Sequence, residues 1–177
     1  MTEYQDILGR PRSARQPAAQ LRLPILIAAA LIAILFQVYV PLFFEYLGYL
    51  ELPLLVTVYL ALMRRQPAAG VACGAIIGLV QDSLSHHPLG MFGLVKTLVG
   101  YFAASVSLRL DVDNPVMRLI LAFFFFLFHQ VFFWVLTRAL LGNPVDLAAG
   151  QTFMQGVMNA MVAVPMFHLL DKLRDRG

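Results

Sequence analysis

The sequence predicts an all-α, polytopic membrane bundle of six transmembrane helices. Three observations carry that expectation. The 177 residues are 60% apolar and 13% charged, with a mean hydropathy of +0.76, where a soluble domain averages roughly 45–50% apolar and about 25% charged. The apolar residues fall into long runs separated by short turns rich in proline, glycine and charge. Those runs are continuous rather than alternating, which excludes a barrel. Lipid offers no hydrogen bonds, so helices are the remaining way to satisfy the backbone.

Taken in order, residues 1–23 are polar and carry four arginines, and they read as a flexible basic cytoplasmic tail. The membrane domain then covers residues 24–170. Span 1 runs from about Pro24 to Phe44, with Pro24 tolerated in the first turn and Pro41 kinking or ending it. This apolar run is longer than a signal peptide's core and no small-residue cleavage site follows, so the span is expected to stay in the mature protein. Span 2, about Leu50 to Met63, is some 14 residues and rises only about 21 Å, short of a ~30 Å hydrocarbon core. It is either shielded by neighbours, matched by a thinned bilayer, or begun earlier. Span 3 follows Pro67 and ends near Leu84. A Ser85-His86-His87-Pro88 turn leads into span 4, about Leu89 to Leu108. Asn114 is placed to cap span 5, with Pro115 in its first turn. Span 5, about Val116 to Leu141, is apolar nearly all round and holds half of the 14 phenylalanines, as a lipid-facing helix does. Span 6, about Leu147 to Leu170, contains Pro165 as an expected kink, and residues 171–177 form a charged cytoplasmic tail.

Basic residues set the orientation. Arg10, Arg12, Arg15, Arg22, Arg64, Arg65, Arg109, Arg118, Lys172, Arg174 and Arg176 all fall on one side of such a bundle. That is 11 of the 13 Lys and Arg, leaving Lys96 and Arg138. The positive-inside rule then puts both termini in the cytoplasm. The same placement explains a net charge of +3 without nucleic acid, which is not an expected partner. The single cysteine, Cys73, cannot form an internal disulfide.

The organising stretch is Gly70 to Tyr101. Gly70, Gly74, Gly78 and Asp82 recur every four residues and so share one helix face. The three glycines make a smooth trough in which another backbone can approach closely, ending in a carboxylate. Lys96, Gly100 and Ala104 repeat the pattern on the next span with an ammonium. Charges in a span are expensive, so Asp82 and Lys96 are expected to face protein or each other. They form either a structural ion pair that fixes helix register or a contact to a partner helix or a lipid headgroup. In span 6, Gln151, Gln155 and Asn159 form a polar stripe that either packs against other helices or, with His129, lines a cavity. His86 and His87 are adjacent on a turn, and no further ligand lies at metal spacing, so no metal and no cofactor is expected. No phosphate loop, nucleophile elbow or HExxH motif is present, and an enzyme is not expected.

The segment GAIIGLVQDSLSHHPLGMFGLVKTLVGYF, residues 74–102, resembles the most typical stretch of the MreD family of rod shape-determining membrane proteins. Gly74, Gly78-Leu79, Asp82, Pro88-Leu89-Gly90 and Tyr101 carry the likeness. Chain length and the basic turn in ALMRRQPAAG extend it to about residues 24–170. The long N-terminal tail and Lys96 depart from the pattern. The resemblance implies a non-enzymatic, multi-pass inner-membrane component of the bacterial elongation machinery. It also implies association with an MreC-like bitopic protein and with a wider rod complex of MreB, RodA and its transpeptidase, and a role in cell shape and peptidoglycan synthesis. It implies a six-helix fold similar to the substrate-binding subunits of energy-coupling-factor transporters. The leading expectation is therefore a scaffold whose Gly70, Gly74, Gly78, Asp82 and Gly90 receive a partner's transmembrane helix. Membrane lipids and a second copy are further expected contacts. The alternative is a small-molecule-binding transporter subunit with His129, Gln155 and Asn159 as its pocket.

Overall fold

A computed structural model describes residues 23–85, 88–142 and 148–175. The expected N-terminal tail and the His86–His87 turn lie outside the described residues. Among those described, six α-helices follow one another: α1 Leu23–Tyr39, α2 Leu52–Arg64, α3 Pro67–Leu84, α4 Met91–Val106, α5 Pro115–Leu141 and α6 Ala149–Asp175. Five helical stretches are long and apolar enough to cross a membrane: Pro24–Leu42, Glu45–Arg64, Pro67–Leu84, Pro115–Ala139 and Ala149–Leu173. The sixth, α4, has 16 residues, about 24 Å at 1.5 Å per residue. It is apolar but short, and most of its surface is covered by the rest of the bundle.

Local chemistry sets the helix ends. Pro41 stands at the start of a 3₁₀ turn, Val40–Leu42, where α1 gives way, because proline cannot donate to the α-helical ladder. A second 3₁₀ turn, Glu45–Tyr49, precedes α2. It carries the second span back to Glu45, which resolves the apparent shortness of that segment. Arg65 closes α2 in the left-handed region, φ 50°, with its N–H on Ala61 O at 3.2 Å. The Asn114 side chain accepts from Val116 N at 2.9 Å and caps α5 as expected. The expected Leu147 start of the last span lies outside the described residues. Its helix passes through Pro165 and runs on to Asp175, so the first charges of the expected tail belong to α6.

The core is built around α2. Every residue from Pro53 to Leu62 is buried, and α2 touches α1, α3, α4, α5 and α6. The α3–α4 pair is the most extensive helix contact, followed by α5–α6. Span 5 is not wholly lipid-facing. It buries Phe125, Phe126 and His129 and exposes Phe124 and Val131, because α6 and α4 cover one side of it. Elsewhere the outer surface is apolar, with Ile32, Ile76 and Met154 all largely exposed.

Candidate functional site

The glycine trough is occupied from within the chain. A methyl group on Gly70 would run into the carbonyl oxygen of Gly100, one on Gly74 into that of Lys96, and one on Gly78 into that of Phe92. Gly100 meets Gly70 O in the same way. Four glycines thus bring the α3 and α4 backbones together closer than any side chain allows. This corrects the expectation that Gly70, Gly74 and Gly78 receive a helix from another protein, because α4 fills the space.

Asp82 completes the same hairpin. Its buried carboxylate accepts from Gly90 N at 3.0 Å, Phe92 N at 3.1 Å and Gly93 N at 2.9 Å. These are N–H groups of the first turn of α4, which have no partner inside their own helix. The position before α4 is Gly90, at φ +96°, which has no side chain to cap with. Asp82 supplies the cap from the neighbouring helix, and its negative charge meets the positive end of the α4 dipole. Gly93 lets it come close, since a Cβ there would stand 3.4 Å from Asp82 Oδ2 and 2.9 Å from Leu79 Cδ2.

Lys96 therefore pairs elsewhere. Its fully buried ammonium lies 3.7 Å from Glu51 Oε2 and 4.4 Å from the centroid of the Phe92 ring. The expected Asp82–Lys96 ion pair is corrected: Asp82 is engaged by backbone N–H groups, and the cation answers Glu51 at the start of α2. Glu51 in turn donates its N–H to Asn159 Oδ1 at 2.8 Å, while Asn159 Nδ2 donates to Tyr49 O at 2.8 Å and Gln155 O at 2.9 Å. Asn159 of α6 thus holds the start of α2 in place. His129 is buried and stacks on Phe92 and Phe133, at 6.1 and 6.2 Å between centroids. His129, Gln155 and Asn159 line neither of two clefts found on the described residues. Asn159 uses its amide on backbone groups of α6 and of the segment before α2, and neither cleft brings it together with His129 and Gln155.

A second charge cluster holds the other end of the bundle, and sequence reasoning missed it. Buried Arg118 of α5 donates Nε to Val112 O at 2.7 Å, pairs through Nη1 with Asp171 of α6, and lies 3.7 Å from Asp113. Tyr59, buried in α2, donates its hydroxyl to Asp171 Oδ1 at 2.9 Å. Arg65 reaches Asp113 at 3.9 Å. In the sequence Arg118 reads as one of the basic residues that set orientation, and Asp171 as the first residue of the charged C-terminal tail. The available signal was position: Arg118 falls four residues after the cap at Asn114, and so lies inside the helix.

Six apolar helices fastened by buried charge and by glycine-mediated backbone contact define a polytopic α-helical membrane protein. The MreD family, described as rod shape-determining protein MreD, matches residues 18–173. That range is most of the chain, and the protein belongs to this family. It is a rod shape-determining membrane protein, multi-pass in the inner membrane. No curated protein matches the chain, and no solved structure does.

Proposed function

We propose that the protein is a non-enzymatic scaffold of the bacterial rod complex, which binds the transmembrane helix of an MreC-like bitopic partner and supports peptidoglycan synthesis during elongation. The family match over residues 18–173 carries this reading. The structure supports it through the use made of the interior polar groups. Asp82, Asn159 and Arg118 are engaged in joining one helix to another, as befits a rigid platform. With the glycine trough filled by α4, the partner helix is assigned to the exposed apolar faces of the bundle. In this orientation both termini are cytoplasmic. A small-molecule-binding role, by likeness to energy-coupling-factor subunits, needs a pocket at His129, Gln155 and Asn159, and the hydrogen bonds of Asn159 count against one.

The test is affinity purification of the full chain from a rod-shaped host that carries its MreC-like protein, with photo-crosslinkers at Ile32, Ile76, Phe124 and Met154 in turn. Crosslinks to the bitopic partner from one contiguous face, together with rounded cells on deletion, are the expected result. Deletion cells that keep their shape, with no partner captured from any of the four positions, would defeat the scaffold reading.

A further inference from the structure

We propose that the groove between α1, α2 and α3 is a binding site for an anionic phospholipid, with an acyl chain along the trough and the phosphate at Arg64. This goes beyond the scaffold reading and stands without it. The groove encloses about 390 Å³ and is lined by Leu26, Ala30 and Ile34 of α1, Leu60 of α2, and Ile76 and Val80 of α3. Its one charged lining residue is Arg64, at the C-terminal end of α2.

Two observations choose a lipid over a protein segment. The Arg64 side chain is exposed and makes no hydrogen bond or ion pair with any described residue. Its neighbour Arg65 pairs with Asp113, and Arg118 pairs with Asp113 and Asp171. A free guanidinium at the mouth of a hydrocarbon-lined trough complements a ligand with an anionic head and an apolar tail. The second observation is the charge balance at this end of the bundle: Arg65 and Arg118 are matched by Asp113 and Asp171, which leaves Arg64 without a carboxylate of its own among the described residues. Another membrane helix follows the same charge rule and brings its own basic residues to this level. So does a second copy of the chain. Either sets like charges beside Arg64, whereas a phosphate neutralises it.

Native mass spectrometry of the full-length protein, equilibrated in mild detergent with equal phosphatidylcholine and phosphatidylglycerol, tests the assignment. The expected preference for the anionic lipid is roughly fivefold, the ratio given by about 1 kcal/mol per basic residue. Arg64→Gln should bring the two lipids to parity. Arg65→Gln, which removes the same charge from the same turn, should keep the preference. Ala30→Phe should fill the trough and reduce retention of both lipids. Parity in the wild type overturns the proposal, as does equal loss in the two arginine variants, which would mark a general surface charge. Full displacement of the lipid by inorganic phosphate would show a free-anion site, and a lipid-free dimer would show a second copy in the groove. If Arg64→Gln melts earlier than wild type in phosphatidylcholine alone, Arg64→Lys decides: it keeps the charge and should keep the preference, and its loss overturns the proposal.

Discussion

Asp82 shows how one side chain can close a membrane hairpin. Three N–H groups at the start of α4 face a single carboxylate, and in lipid no water stands ready to replace it. Hydrogen bonds to a charged acceptor contribute roughly 1.5–3 kcal/mol each and are not additive. Replacing Asp82 by Leu is predicted to lower the stability of the bundle by about 3 kcal/mol, and Asp82→Asn, which keeps one carbonyl acceptor, by about half of that. Thermal unfolding in mild detergent would check the order, and equal losses in the two variants would refute the capping role. Lys96 makes a different case. Removing one partner of a buried pair costs about 3–5 kcal/mol, while removing both is often close to neutral. Lys96→Met is therefore predicted to destabilise strongly, and Lys96→Met with Glu51→Gln to recover most of the loss. A double variant as unstable as the sum of the singles would show that the 3.7 Å pair is not the reason for the lysine.

At the scale of elements, the α3–α4 contact is set by what its glycines lack. Gly74→Ala places a methyl group against the Lys96 carbonyl, and the predicted cost is about 2 kcal/mol or more, as for overpacking in a core. Gly150→Ala, near the start of α6 where nothing lies within 4 Å, should be neutral or stabilise by up to about 1 kcal/mol. Guanidinium or thermal unfolding of both variants separates packing from propensity. The helices themselves were legible in the sequence, because prolines, asparagine caps and runs of apolar residues act within a few positions. The repeat Gly70, Gly74, Gly78 was legible as a site of close approach, yet its occupant was not. A smooth face says that a backbone will come near, not whose. The partner of Asp82 was hidden for a related reason: backbone N–H groups are the same at every position, so only the fold reveals which are left over. The pairs Lys96–Glu51 and Arg118–Asp171 join residues 45 and 53 apart in the chain, and no local pattern links such positions.

Across the whole molecule, α2 is the central post, tied near its start through Glu51 to Lys96 and Asn159 and just past its middle through Tyr59 to Asp171. α1 is the least buried of the long spans. Stability should follow that gradient. Leu55→Ala, at a site with no exposed surface, is predicted to cost about 2–4 kcal/mol, and Ile32→Ala, at 67% exposure, less than about 0.5 kcal/mol. Comparable losses at the two positions would show that α1 is packed far more tightly than its exposure implies. The hairpin of α3 and α4 also has a bearing on biogenesis. A 16-residue segment with a buried lysine in its second turn is a poor candidate to leave the insertion machinery alone, and α3 carries its carboxylate at the very end where α4 begins. The two should enter the bilayer together as a preassembled unit, so a nascent chain stalled with α3 outside the ribosome and α4 still within it should leave α3 lingering at the channel until its mate emerges.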